Sequence, residues 1–136
     1  MIILIDNYDS FTYNIKHYLN EIGVEVKIYR NDKITVQEIQ EINPIAIVIS
    51  PGPGTPNESG ICLKLVEEFK NKYPILGICL GHQCIGQAFG TKIIKCEEIR
   101  HGKIDSMKHF NHHIFKNIEN NFLATRYHSL IIDKNT

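Results

Sequence analysis

From Met1 to Gly90 the chain alternates between two hydrophobic patterns. Ile2–Ile5 predicts a buried strand, and Asn7-Tyr8-Asp9-Ser10 then predicts a loop with helix-capping side chains. Phe11, Ile15, Tyr18, Leu19 and Ile22 recur at helical spacing, and Gly23 ends that helix. Val24–Tyr29 predicts a second strand. Thr35 caps a short helix carrying Val36, Ile39 and Ile42. Ile45–Ile49 is a continuous β-branched run, which marks a strand buried on both faces. Pro51-Gly52-Pro53-Gly54-Thr55-Pro56 is a loop, and a helix near Ser59–Lys70 carries Leu63, Val66 and Phe69. Ile75–Ile78 is the next strand, and Leu80–Phe89 is a helix stopped by Gly90.

This β-α-β-α-β-α-β-α order predicts an α/β fold, a doubly wound parallel sheet with helices on both faces and right-handed connections. Ligands bind such sheets beyond the carboxyl ends of the strands. Three loops fall there: Asp6–Ser10, Pro51–Pro56 and Cys79–Gln83. After Thr91 the pattern changes. Lys92–Lys95, Lys103–His109 and Phe122–Tyr127 read as short strands with hairpin connections, a mixed or antiparallel region appended to the sheet. With no repeat, low-complexity segment or linker, residues 1–136 read as a single domain.

Composition narrows the function classes. The chain has 136 residues, enough for one domain with a real core. Fifteen basic residues balance fifteen acidic ones, so no net field draws nucleic acid or a membrane surface. Met1–Ile5 has no basic flank, and no apolar run approaches a membrane span. Cys62, Cys79, Cys84 and Cys96 contain no C-x-x-C pair, which leaves zinc and thioredoxin-type readings weak and reduced cytoplasmic thiols the default. Asn57-Glu58-Ser59 matches a glycosylation acceptor that matters only in a secretory protein. His109, His112 and His113 cluster in a polar stretch without convergent carboxylates or cysteines, and read as an exposed loop rather than a metal site. No cofactor is expected.

The chemistry concentrates between the fourth strand and its helix. Gly77-Ile78-Cys79-Leu80-Gly81 has the form of a nucleophile elbow with cysteine in place of serine. Side chains at the flanking glycines would clash with so sharp a turn, and the helix N-terminus favours the attacking thiolate. By itself the motif is equally readable as a buried structural cysteine. The prolines of Pro51-Gly52-Pro53-Gly54 remove two amide donors, so the loop suits no phosphate. The amides of Gly52 and Gly54 are unobstructed. With the amide of Leu80 they would make an oxyanion hole. His82, His101 and His128 are candidate bases that spacing does not separate; His82 is the weakest, and His128, just after a predicted strand, is the better placed.

Taken together, these residues resemble the class I glutamine amidotransferases, most of all the glutaminase component II of anthranilate and aminodeoxychorismate synthases. Four segments carry the resemblance in order: Asp6–Thr12, Ser50–Pro56, Gly77–Gln83 and Arg126–Leu130, with His101-Gly102-Lys103 as a shorter fifth. The resemblance implies a flavodoxin-like sheet. It also implies that Cys79 attacks the side-chain amide of L-glutamine to form a thioester. Gly52 and Leu80 would hold the oxyanion, and Gly54 would shape the same wall. Gln83, Ser129 and Leu130 would bind the glutamine. Ammonia would pass to a component I synthase that aminates chorismate, on the tryptophan or the folate branch. His101 and the Asp6–Ser10 loop would lie towards that partner.

One departure matters. The family's catalytic histidine and glutamate come from a His-Pro-Glu segment well beyond the Tyr-His-Ser-Leu match, and these 136 residues contain none. His128 is not that base in the family. The expectation is therefore a C-terminally truncated chain, impaired by roughly 10⁴ or more in rate on its own. The alternative reading is a catalytically incompetent chain that binds glutamine or the synthase without turnover.

Overall fold

Leu4 and Ile5, adjacent in sequence, are both fully buried, because the first strand has a core on each side. The computed structural model describes the backbone of residues 1–136 and every side chain except those of residues 98–100. The strands are β1 (Ile2–Asp6), β2 (Val26–Arg30), β3 (Ala46–Ile49) and β4 (Ile75–Gly77). They form one sheet in the order β2-β1-β3-β4, parallel throughout, with Leu4 opposite Ile28 and Val48, and Ile49 opposite Gly77. Ile3, Ile5, Ile47 and Ile49 point to one face and Leu4 and Val48 to the other, as the two-residue strand period requires.

The crossover helices are α1 (Thr12–Glu21), α2 (Val36–Ile42), α3 (Cys62–Phe69) and α4 (Leu80–Ala88). The first face is covered by Ile39 of α2, by Leu65, Val66 and Phe69 of α3, and by Leu80 and Cys84 of α4. Phe69 meets the Tyr73 ring edge-on at 5.1 Å. The second face is covered by Ile15 of α1. Of the five apolar positions that predict α1, Phe11, Tyr18 and Ile22 are exposed. The period is right, but only Ile15 and Leu19 pack on the sheet. Thr35 caps α2 as expected, in a reciprocal box with Glu38.

Beyond α4 the sequence expectation of three short strands is replaced by two long ones, β5 (Ile93–Met107) and β6 (Phe122–Ile132). They make their own two-stranded sheet instead of extending the first. Asp133 N–H donates to the Lys92 carbonyl at one end, and the Ser106 hydroxyl donates to the Asn121 carbonyl near the other, so the pair is antiparallel. Isolated polar residues such as Glu97 and Asp105 break the apolar pattern without ending the strand, because a two-stranded ribbon wets much of its surface.

The chain divides into two compact units, residues 1–93 with 132–136, and residues 94–131. In the second unit the histidine-rich loop is not uniformly exposed. His109 is buried and stacked on Phe115 at 4.7 Å. Its Nδ1 accepts from Asn111 N–H, which leaves Nε2–H to donate to the Ile118 carbonyl. His109 therefore ties the loop together, while His112 and His113 remain exposed.

Candidate active site

Strand β4 delivers the chain to Cys79, and α4 starts at the next residue. Cys79 has φ 53° and ψ −106°, a backbone conformation that costs a non-glycine residue of order 1–3 kcal/mol. Gly77 and Gly81 make it possible. A methyl on Gly77 would strike the Gly81 carbonyl group and approach the His82 nitrogen to 2.5 Å; one on Gly81 would strike the Ile49 carbonyl oxygen. Gly81 N–H bonds to the Ile78 carbonyl at 3.0 Å and Gln83 N–H to the Cys79 carbonyl at 3.1 Å, which closes the turn into the helix.

Cys79 is accessible to solvent, with its thiol partly screened. The Leu80 amide beside it favours the thiolate. Yet partial burial and the nearby Asp9 carboxylate outweigh that amide, and the thiol lies above the ordinary cysteine range. The helix-start amide pulls in the expected direction, but one amide does not offset desolvation and a like charge.

The three loops expected at the strand ends do meet. A methyl on Gly52 would strike Asn7 Cβ and lie 2.8 Å from the Asn7 carbonyl oxygen and 2.9 Å from Leu80 Cδ2. Gly52 is therefore wedged between the first loop and the helix that follows Cys79. Gly54 has φ +75°, and its Cα faces the Glu58 carboxylate, whose Oε2 accepts from Thr55 N–H at 2.9 Å. Gln83 is buried on α4, and His82 is exposed one residue before it.

Ser129 and Leu130 lie on β6 in the second unit, as do His128 and, on β5, His101. His128 Nε2 accepts from Arg126 Nε–H at 2.9 Å, and Arg126 Nη1 pairs with Asp105 Oδ2 at 2.6 Å.

Sequence reasoning missed a buried polar cluster beneath Gly52. Asn7 N–H donates to Ser50 Oγ and Asn7 Nδ2 to the Ser50 carbonyl, each at 2.9 Å. Asn7 Oδ1 accepts from Asn31 Nδ2 at 2.9 Å and from the Cys62 thiol at 3.2 Å. Cys84 donates to Ser59 Oγ at 3.3 Å. The signal was available: Asn7, Asn31 and Ser50 each follow a strand of one parallel sheet, so their side chains share one end of it. The neighbouring Cys84 thiol first, and burial after it, push the Cys62 thiol up, so it is an inert donor.

An α/β sheet with a cysteine elbow and a glycine loop wedged against it defines a class of cysteine-dependent amide hydrolases. The chain belongs to the class-I glutamine amidotransferase family, whose pattern matches residues 3–136. It is 53% identical over 133 residues to anthranilate synthase component 2 of Pyropia yezoensis, covering 98% of this chain and 70% of that protein. It is 49% identical over 136 residues to aminodeoxychorismate/anthranilate synthase component 2 of Bacillus subtilis, covering 100% and 70%. A crystal structure of a Thermoplasma acidophilum protein matches with a TM-score of 0.80 at 29% identity, over 98% of this chain and 66% of that one. A glutamine amidotransferase from Thermotoga maritima shares the fold, with a TM-score of 0.78 at 16% identity over 97% and 61%. The chain thus spans about three fifths to two thirds of these two solved structures and 70% of these two curated relatives. No helix among the described residues is long and apolar enough to cross a membrane.

Proposed function

We propose that this chain is the glutaminase component of a chorismate-aminating synthase. Cys79 Sγ attacks the side-chain carbonyl carbon of glutamine. The amides of Gly52 and Leu80 hold the oxygen as it becomes an oxyanion, and Gly54 shapes the wall behind Gly52. The C–N bond then breaks, the nitrogen leaves as ammonia with the thiol's proton, and a glutamyl thioester remains. Water cleaves the thioester, releasing glutamate and restoring the thiol. Gln83, Ser129 and Leu130 bind the glutamine in this reading. The observation that carries it is the Cys79 turn, strained at φ 53°, with Gly52 packed against the Leu80 that follows it.

The ammonia goes to a component I synthase, which makes anthranilate or 4-amino-4-deoxychorismate, the first by a lyase half-reaction. Relatives named for one or for both products support either the tryptophan or the folate branch. The four free cysteines suit a reducing, cytoplasmic setting. The test is glutamate release by the full-length protein in complex with its synthase. Activity is expected to vanish in Cys79→Ala; activity retained in that variant sinks the mechanism. Identifying the product of the co-purified complex assigns the branch.

A further inference from the structure

We infer that Asn7 is a positioning residue for the oxyanion hole: from under the glycine loop it sets where the Gly52 amide stands relative to Cys79. The inference rests on the reading of Gly52 as an oxyanion donor.

Asn7 is 2% exposed and does not belong to the reacting set. Its polar groups reach four others. Backbone N–H and side-chain Nδ2 both bind Ser50, one at the hydroxyl and one at the carbonyl. Oδ1 takes hydrogen bonds from Asn31 and Cys62. The Ser50 hydroxyl in turn donates to the Pro51 carbonyl at 2.7 Å, the carbonyl of the peptide whose nitrogen is that of Gly52. A chain of short bonds thus runs from Asn7 through Ser50 to the Pro51–Gly52 peptide. The Asn7 Cβ and carbonyl also back the Gly52 Cα so closely that no methyl fits between them.

These contacts define one degree of freedom. Pro51 and Pro53 stiffen the loop on either side of Gly52. The tether to Ser50 then fixes the pivot on which that stiff segment sits. Ser50 N–H is itself held by the Ile5 carbonyl at 3.0 Å, so the pivot is tied to β1. On the far side, Asn31 and Cys62 clamp Oδ1 and hold the amide plane so that Nδ2 faces the Ser50 carbonyl. An oxyanion donor must be placed to within about half an ångström to act, and this network supplies that placement.

The test compares Asn7→Asp and Ser50→Ala with the parent, as the native chain in complex with its synthase. Asn7→Asp keeps an acceptor for Asn31 and Cys62 but turns a carboxylate oxygen towards the Ser50 carbonyl. The expected result is a fall of about 10²-fold in kcat for glutamine hydrolysis, with KM changed by less than about threefold. Ser50→Ala removes only the hydroxyl relay, and its expected fall is about tenfold. The second readout is alkylation of Cys79 by iodoacetamide, a displacement at saturated carbon that develops no oxyanion. Its limiting rate at high pH, where the thiol is fully ionised, is expected to stay within about twofold of the parent in both variants. An unchanged kcat in both variants, or alkylation falling in step with kcat, overturns the inference. Gly52→Ala separates the two levels. If it leaves turnover intact, the oxyanion reading of Gly52 fails; if it abolishes turnover while Asn7→Asp and Ser50→Ala do not lower it, only the role of Asn7 fails.

Discussion

Gly77 lies against the Gly81 carbonyl group across the Cys79 turn, so close that its Cα hydrogen occupies space no methyl can enter. The elbow is a close approach between the end of a strand and the first turn of a helix. Gly81 also rests against the Ile49 carbonyl of the neighbouring strand, with Ile49 Cβ at 2.8 Å from any added methyl. The atoms that would have to move are main chain on both sides, and they cannot give way like the end of a flexible side chain.

Gly81→Ala should therefore destabilise the chain by about 3 kcal/mol. Gly23→Ala is the control. Gly23 has φ +81° but nothing within 4 Å of an added methyl, so it carries only the conformational cost of about 1 kcal/mol. Urea denaturation of both variants checks the difference. Gly81 is helical and bears no such conformational cost, so a loss no larger than that of Gly23→Ala would show that the Ile49 contact gives way.

Cys79 itself bears conformational strain for the sake of its sulfur. Cys79→Ala and Cys79→Gly should both abolish glutamine hydrolysis. Glycine adopts φ 53° without the Cβ clash that alanine retains, so Cys79→Gly should be the more stable of the two by about 1 kcal/mol. Thermal unfolding of the two inactive variants measures this. A Gly variant no more stable than the Ala variant would mean that the turn relaxes when the thiol is removed.

Much of this site was legible as residue pattern. The alternation of apolar runs and helical stripes fixed a parallel sheet, and its rule for ligand sites picked out the loops after β1, β3 and β4. Those loops meet at Gly52, Asn7 and Leu80. The polar cluster was less visible. Asn7, Asn31 and Ser50 read as loop residues until their strands are ordered side by side, and only β2-β1-β3 adjacency shows that they bury one another. The stripe of α1 misled in another way. Helical spacing marks a face, but how much of it is covered depends on the width of the sheet beneath, which left Phe11, Tyr18 and Ile22 in solvent. In β5 and β6, wetted strands carry polar residues that a core-based pattern reads as breaks.

Thr35 and Glu38 make the start of α2 sensitive to acid. The Thr35 hydroxyl and N–H both donate to Glu38 Oε2, at 2.7 and 2.8 Å, and these bonds hold the Glu38 carboxyl below its ordinary range. A carboxyl lowered by folding adds stability that is fully present above its unfolded value and is lost as pH falls through the folded one. Thr35→Ala should therefore differ most from the parent at neutral pH, and the difference should narrow in acid below the ordinary glutamate range to that of the Glu38 N–H to Thr35 hydroxyl cap, which does not titrate. Urea midpoints measured across that interval check the sign. A difference that widens in acid would contradict it.

Asp9 and Cys79 provide the last prediction, which concerns pH and reactivity. Partial burial first, and the Asp9 carboxylate after it, raise the Cys79 thiol, while the Leu80 amide lowers it. At neutral pH the chain should hold less thiolate than a free cysteine, so alkylation of Cys79 should still be climbing with pH beyond the usual thiol range. Asp9→Asn removes the like charge and leaves the burial. Its labelling curve should move to lower pH without reaching that of a free thiol, because the larger contribution remains. Asparagine keeps the Oδ1 that accepts from Phe11 N–H, so the change should appear in the pH profile of alkylation and not in the stability of the sheet. The measurement is the rate of iodoacetamide labelling at Cys79 against pH for parent and variant. A curve unmoved by Asp9→Asn would assign the whole displacement to burial. A curve moved upward would mean that Asp9 acts on Cys79 through a positively charged neighbour that it holds in place, and not directly through space.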